Sequence, residues 1–323
     1  MSTQLILSPP PSLTGIMDRP PTMFLPDDRT AERFFEFFAA NINNDHTRRA
    51  YFRAACRFSD WCEGRGLRQL AAVRPLHVAA FIKELQKTHA KPTVKQHLAA
   101  LRMLFDWLVI GQALEQNPAH AVRGPKHVVK KGKTPALNRE EAQALLASID
   151  TSTLTGLRDR ALIGVMIYTF ARIGAVLQMD VRDYFTQGRR AWVRLHEKGG
   201  KEHEAPCHHK LEPFMDEYIA AAGIKDDLDG PLFRTTGRFT GKWHRMTQPD
   251  AYRVLRRRAK QAGIETRIGN HSMRATGITD YLKSNGTLEY AQQMANHSSP
   301  RTTKLYDRRE DDASLDEYEK VGI

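Results

Sequence analysis

Apolar positions along this chain recur mostly three and four residues apart, the spacing of a helix, and in one stretch they alternate as in a strand. The first helical run begins at Arg29, with Asp28 as its N-cap, and carries Phe34, Phe35, Phe37 and Phe38. A second starts near Asp45 and sets Tyr51, Ala55, Phe58 and Trp61 on one face. Pro75, a favoured first-turn residue, opens a third through Val78, Phe81, Ile82 and Leu85. A fourth runs from Thr93 through Leu98, Leu101, Leu104, Phe105 and Leu108. Together they predict a compact four-helix domain over residues 29–120, closed near Asn117-Pro118.

Residues 1–28 are rich in proline and poor in apolar positions after Leu7, which predicts a flexible extended tail. Arg123 to Lys133 holds Lys126, Lys130 and Lys131, no acidic residue, and Gly124-Pro125, so residues 121–135 read as an exposed basic linker. A second domain, residues 136–306, opens at Asn138-Arg-Glu-Glu141, a capping-box pattern ahead of Leu145, Leu146 and Ile149. Leu157 to Tyr168 reads as a strongly apolar helix. Between Asp183 and Pro206 the period changes: Ala191 to His196 and Glu202 to Ala205 alternate like strands, joined by a turn over Glu197 to Lys201. Helical runs resume over His209–Ala222, Gln248–Ala262, His271–Lys283 and Leu288–Ala295. The expected fold is mainly α with a small antiparallel β-sheet. Residues 307–323 read as an acidic tail with Leu315, Val321 and Ile323 as apolar anchors.

Charge narrows the choice of partner. A net charge of +12 and a pI near 9.7 favour a polyanion, nucleic acid first and an anionic membrane surface second. No apolar run approaches the ~18 residues of a membrane span. Leu5-Ile6-Leu7 is too short for a signal-peptide core. Cys56, Cys62 and Cys207 form no C-x-x-C pair, which fits a reduced cytoplasmic compartment. Cys207-His208-His209 lacks the usual spacing of a zinc site, so no metal is expected.

The stretch Asn270 to Tyr306 holds the chemistry. His271 and Arg274 fall at i and i+3 at the start of a helix, His297 follows in Asn296-His-Ser-Ser299, and Tyr306 stands nine residues after His297. Arginine forks onto phosphate oxygens, histidine can donate or take a proton near neutrality, and a phenol needs such neighbours to act as a nucleophile. Arg172 closes the apolar run Ile163 to Phe170, where a charge needs an ion-pair partner, Asp180 or Asp183, or an anion to bind. Lys198 sits on the predicted hairpin turn with Lys201 as its nearest rival. Taken singly, each of these residues fits a plain structural role.

Taken in order, they resemble the tyrosine recombinases of the Xer, Cre and phage-integrase superfamily. Arginine, hairpin lysine, H-x-x-R, N-H-S-S and tyrosine follow one another over residues 29–306, behind a basic helical domain. Thr47-Arg-Arg-Ala-Tyr51, Leu98 to Arg102, Leu157 to Leu162, Gly230-Pro-Leu-Phe233 and Thr302 to Tyr306 support the likeness. The resemblance implies a four-helix SAM-like core-binding domain and an α+β catalytic domain. It implies that Tyr306 attacks the scissile phosphate to form a 3′-phosphotyrosyl bond, with Arg172 and Arg274 on the non-bridging oxygens. His271 would assist deprotonation, His297 would bind the phosphate, and Lys198 would protonate the leaving 5′-oxygen. No cofactor is implied. Duplex DNA with inverted-repeat sites is the implied partner, held between two lobes by four protomers. Arg48, Arg49, Lys91, Lys95, Arg102, Lys130, Lys131, Arg256 and Arg257 are the expected DNA contacts.

Three positions depart from the pattern. Ala175 and Ala275 replace an acidic residue and a histidine, and Asn296 stands where glycine is common. The departures suggest a divergent branch serving a mobile element, acting in the cytoplasm on the nucleoid. Two other readings remain: a type IB topoisomerase-like nicking and resealing enzyme, and an inactive DNA-binding descendant.

Overall fold

The computed structural model describes residues 20–129, 132–197, 200–236, 243–309 and 319. The chain divides into two units, residues 1–128 and 129–323. Lys130, Lys131 and Lys198 lie outside the described residues.

Unit 1 is an aromatic-cored helical bundle. Helix α1 spans Asp28–Glu36, and its cap is Asp27 rather than Asp28, with the Asp27 carboxylate accepting from the Thr30 amide. A π turn over Phe37–Asn41 continues it. Helix α2 (Asp45–Glu63) is capped by Asn44, α3 (Pro75–Thr88) begins at the proline, and α4 (Lys91–Ile110) begins slightly ahead of Thr93. Phe34, Phe37, Phe38, Phe58 and Phe105 are fully buried.

The expected tail ends earlier than residue 28. Thr22–Phe24 forms a single 3₁₀ turn whose Met23 and Phe24 lie in the core, and Phe24 stacks on Phe34 with centroids 5.1 Å apart. Two aromatic or sulfur-bearing side chains are enough to hold the turn, although no period announces them. Two expected DNA contacts are also committed elsewhere. Arg48 donates to the carbonyls of Phe38 and Ile42, each at 2.7 Å, and pairs with Asp45. Arg102 donates to the carbonyls of Ala119 and Val122. Both guanidinium groups satisfy main-chain acceptors left over at loop corners. Arg49, Lys91 and Lys95 are exposed.

Unit 2 is built around α6 (Leu154–Tyr168), which is apolar on nearly every face and packs against α8 (Leu211–Ala222) and α10 (Ser272–Lys283). Ahead of it, α5 (Arg139–Ala147) carries the expected capping box between Asn138 and Glu141. After it, α7 (Ile173–Gln178) leads to an antiparallel sheet in the order β1 (Tyr184–Gln187), β2 (Arg190–Glu197), β3 (Lys201–Pro206). Val193 faces Ala205, and Glu197 faces Lys201 in the last rung. Val193 and Leu195 point into the core.

Strand β1 and a short pair, β4 (Arg234–Thr236) with β5 (Trp243–Arg245), are too short to show a period. Helix α9 (Gln248–Gln261) follows, then α10, α11 (Leu288–Met294) and α12 (Pro300–Lys304). Expected DNA contact Arg257 reaches the fully buried Asp159 at 2.7 Å, alongside Arg158 and the buried Arg258. Arg256 is exposed, and Arg257 stays 49% exposed despite its pair. Helix α10 comes unusually close to α6: a Cβ on Gly277 would sit 2.1 Å from the Ile167 carbonyl oxygen. Glycine there is what allows the helix carrying Arg274 to reach the end of α6.

Candidate active site

The chain reverses sharply after α6. Phe170 has a φ of 54°, a conformation that costs an L-residue energy, and its ring is buried beside Ile278 and Leu282. The reversal points its carbonyl at Arg274, which donates Nη1 to it and Nη2 to the Ala295 carbonyl at 2.5 Å. One buried guanidinium thereby joins the start of α7 to the end of α11.

Arg172 is the N-cap residue of α7. Its partner is Glu197, at 2.7 Å from Nη1, and not Asp180 or Asp183. Asp180 pairs with Arg245 at 2.5 Å, and Asp183 accepts from His196 at 2.8 Å. Arg172 is also not buried: its side chain is 39% exposed. Glu197, within the expected turn, gives no local signal of this role because its partner lies far back in the chain.

His271 is the N-cap residue of α10, one turn ahead of Arg274. His297 follows Asn296, whose φ of 45° lies in the left-handed region. Asparagine tolerates that region better than other side chains, so the residue standing in for glycine still permits the reversal. The His297 Nδ1 lies 2.8 Å from the Thr303 hydroxyl, and its ring stacks on Tyr306 with centroids 5.8 Å apart.

Tyr306 follows α12, with its amide donating to the Thr303 carbonyl and its own carbonyl accepting from the Thr279 hydroxyl at 3.1 Å. The preceding carbonyl, of Leu305, accepts from the Gly132 amide at 3.0 Å. A Cβ at Gly132 would fall 2.2 Å from that oxygen, so only glycine permits the contact. Arg308 donates to the Thr134 carbonyl at 2.5 Å. Thr279 and Gly132 adjoin Tyr306 without standing out in the sequence, while Thr303 lies in the Thr302 to Tyr306 stretch.

Charge is concentrated here. Burial, and then the proximity of Arg172, pull Arg274 down to about 10, while the phenol of Tyr306 beside it favours its charged form. Burial followed by Arg274 and Arg172 lowers His271, and the same causes push His297 down to about 3. Both rings are therefore neutral at physiological pH in the DNA-free protein. Five of the six expected catalytic residues, Arg172, His271, Arg274, His297 and Tyr306, thus share one electrostatic neighbourhood.

The arrangement can receive an anion on two cations while two neutral imidazoles stand ready to accept or donate a proton. In the Cys207-His208-His209 stretch, His208 stacks on Tyr168 at 4.6 Å, and burial raises the Cys207 thiol to about 12.

Comparison with known proteins agrees with the fold. The sequence pattern of the Phage integrase family matches residues 135–312, and that of the Phage integrase N-terminal SAM-like domain matches residues 31–113. A tyrosine recombinase XerD of Mycobacterium leprae is 28% identical over 275 residues, covering 81% of this chain and 86% of the relative. A tyrosine recombinase XerD of Listeria innocua serovar 6a is 26% identical over 231 residues, covering 71% and 76%. Among solved structures, XerH recombinase bound to palindromic difH substrate in a post-cleavage complex shares the fold with a TM-score of 0.67. It is 21% identical, with 92% of this chain and 91% of that one covered. A lambda integrase dimer bound to a COC′ core site gives a TM-score of 0.63 at 17% identity, covering 85% and 76%. The chain belongs to the phage integrase family, the tyrosine-type site-specific recombinases.

Proposed function

We propose that this recombinase cuts and rejoins duplex DNA through a 3′-phosphotyrosyl intermediate formed on Tyr306. The observation that carries this reading is that Arg274 and His297 lie beside the Tyr306 side chain, with Arg172 and His271 in the electrostatic reach of Arg274. The Tyr306 oxygen attacks the scissile phosphorus and its proton passes to His271, which is neutral and able to accept it. Arg172 and Arg274 hold the non-bridging oxygens as charge builds in the pentacoordinate transition state. His297, with Nδ1 directed to Thr303, offers Nε2 to the phosphate. Lys198 gives a proton to the leaving 5′-oxygen. A 5′-hydroxyl from a second duplex then attacks the phosphotyrosyl bond, which returns the phenol and joins the strands.

DNA affinity comes from exposed cations. Arg49, Lys91, Lys95 and Arg256 are open to solvent, and the excess of positive charge predicts binding that weakens steeply with salt. Four protomers assemble on inverted-repeat sites and exchange strands in pairs through a Holliday junction. The reaction integrates, excises or resolves a mobile element on the nucleoid, in the cytoplasm.

The test is covalent trapping. Nicked duplexes carrying randomised inverted repeats around a short spacer lose the small 5′-hydroxyl fragment on cleavage, so the phosphotyrosyl product cannot reseal. The wild-type chain should give a denaturant-resistant complex, and Tyr306→Phe should give none while still binding DNA. A wild-type chain that binds but never traps would leave a DNA-binding protein without strand transfer. Relaxation of supercoiled plasmid with no recombinant product would point to nicking and resealing alone.

A further inference from the structure

The ion pair between Arg172 and Glu197 has an uneven character. The Glu197 side chain is 6% exposed against 39% for Arg172, and the contact is 2.7 Å. A carboxylate so far from water is costly unless a cation meets it, and among the described residues the hydrogen bond to it comes from Arg172. The arginine has the complementary need. It caps α7 through its backbone alone, with no side-chain capping bond, and Ala175 one turn further on offers only a buried methyl. The acids closest to it in sequence are engaged with Arg245 and His196.

Strand β2 solves this by ending at Glu197, locked in register opposite Lys201. We propose that Glu197 is a positioning residue for strand cleavage: its carboxylate fixes one edge of Arg172 so that the remaining N–H groups face the scissile phosphate. The inference rests on the recombinase reading above. A guanidinium has five N–H donors, so one bond to Glu197 leaves ample capacity for a phosphate. Glu197 is also felt at Arg274, where it favours the charged form and so offsets the repulsion between the two arginines.

Single-turnover trapping on the nicked duplex tests the proposal with Glu197→Ala, the near-isosteric Glu197→Gln, Arg172→Ala and the double variant. Rates are taken per folded protein from thermal melts, and affinity for intact duplex is measured in parallel. Glu197→Ala should slow cleavage by about 10–100-fold at saturating DNA, the scale expected for a misplaced reacting group. Duplex affinity should hold or rise, because a negative charge leaves a phosphate site. Glu197→Gln should fall between wild type and Glu197→Ala, and it carries the test if the alanine variant does not fold.

Added to Arg172→Ala, the change should cost nothing more, since Glu197 acts through that arginine. Wild-type rates in both Glu197 variants, a faster rate, or a full extra loss in the double variant would each overturn the proposal. In those cases trapping by the wild-type chain would leave the recombinase reading standing. No trapping by the wild-type chain would remove both.

Discussion

Arg48 in unit 1 and Arg274 in unit 2 each donate to two main-chain carbonyls, yet their surroundings diverge. Arg48 also meets Asp45 at 2.6 Å, so its charge is matched and it works as a brace between the π turn and α2. Arg274 has no carboxylate in hydrogen-bond contact among the described residues, and burial, followed by the nearby Arg172 guanidinium, lowers it to about 10. The same donor geometry makes a brace where the charge is answered and, under the proposed function, an anion receptor where it is left open. What separates the two is company: Arg48 has the carboxylate of Asp45 three residues back on its own helix, whereas Arg274 has Arg172, brought in from a distant segment.

Breaking each arginine in turn should expose the difference. Arg274→Ala should lower the trapping rate by about 10²–10³, the usual cost of a lost transition-state donor. A rate within a factor of a few of wild type, in a protein that still melts cooperatively, would contradict the receptor role. Arg48→Ala should leave the trapping rate per folded protein unchanged and cost about 1–3 kcal/mol of stability in denaturant titration, because two inward carbonyls lose their donor. Slower cleavage in a fully folded Arg48→Ala protein would erase the contrast.

The last expected effect is a matter of pH. His297 is pushed down to about 3 from its ordinary 6.5, chiefly by burial and then by Arg274 and Arg172. The folded value lies below the unfolded one, so the unfolded chain takes up the proton first. The stability from a neutral His297 is present above about 6.5 and is lost progressively as pH falls toward about 3. Chemical melts at stepped pH should show a shallower acid limb for His297→Asn. An identical slope would mean that the imidazole does not feel the two arginines.

Much of this was legible residue by residue. Asn138 and Glu141 announce α5 because a capping box is a local device, and Pro75 announces α3 for the same reason. The alternation from Ala191 gives β2, since Val193 and Leu195 face the core. The order of Arg172, His271, Arg274, His297 and Tyr306 points to a shared site, and those residues do come together. What stayed hidden depends on contacts between distant segments. Glu197 meets Arg172 only because β2 folds back beside α7, so acids nearer in sequence look like better partners.

Arg48 and Arg102 resemble solvent-facing cations because a helix period cannot show which loop carbonyls lie overhead. Phe24 sits with Met23 and Leu25 in a short stretch between prolines, and its burial depends on the aromatic face of α1 beneath it. Asn296 reads as a departure from glycine, yet its left-handed backbone keeps the same turn.

The bond from the Gly132 amide to the Leu305 carbonyl has one more consequence. It ties the entrance of unit 2 to the peptide group just ahead of the tyrosine. Displacement at residue 132 is passed through a single hydrogen bond to the backbone beside Tyr306, the proposed nucleophile, so that segment acts as a lever on it. A methyl at position 132 would jam that lever against the Leu305 oxygen, 2.2 Å away.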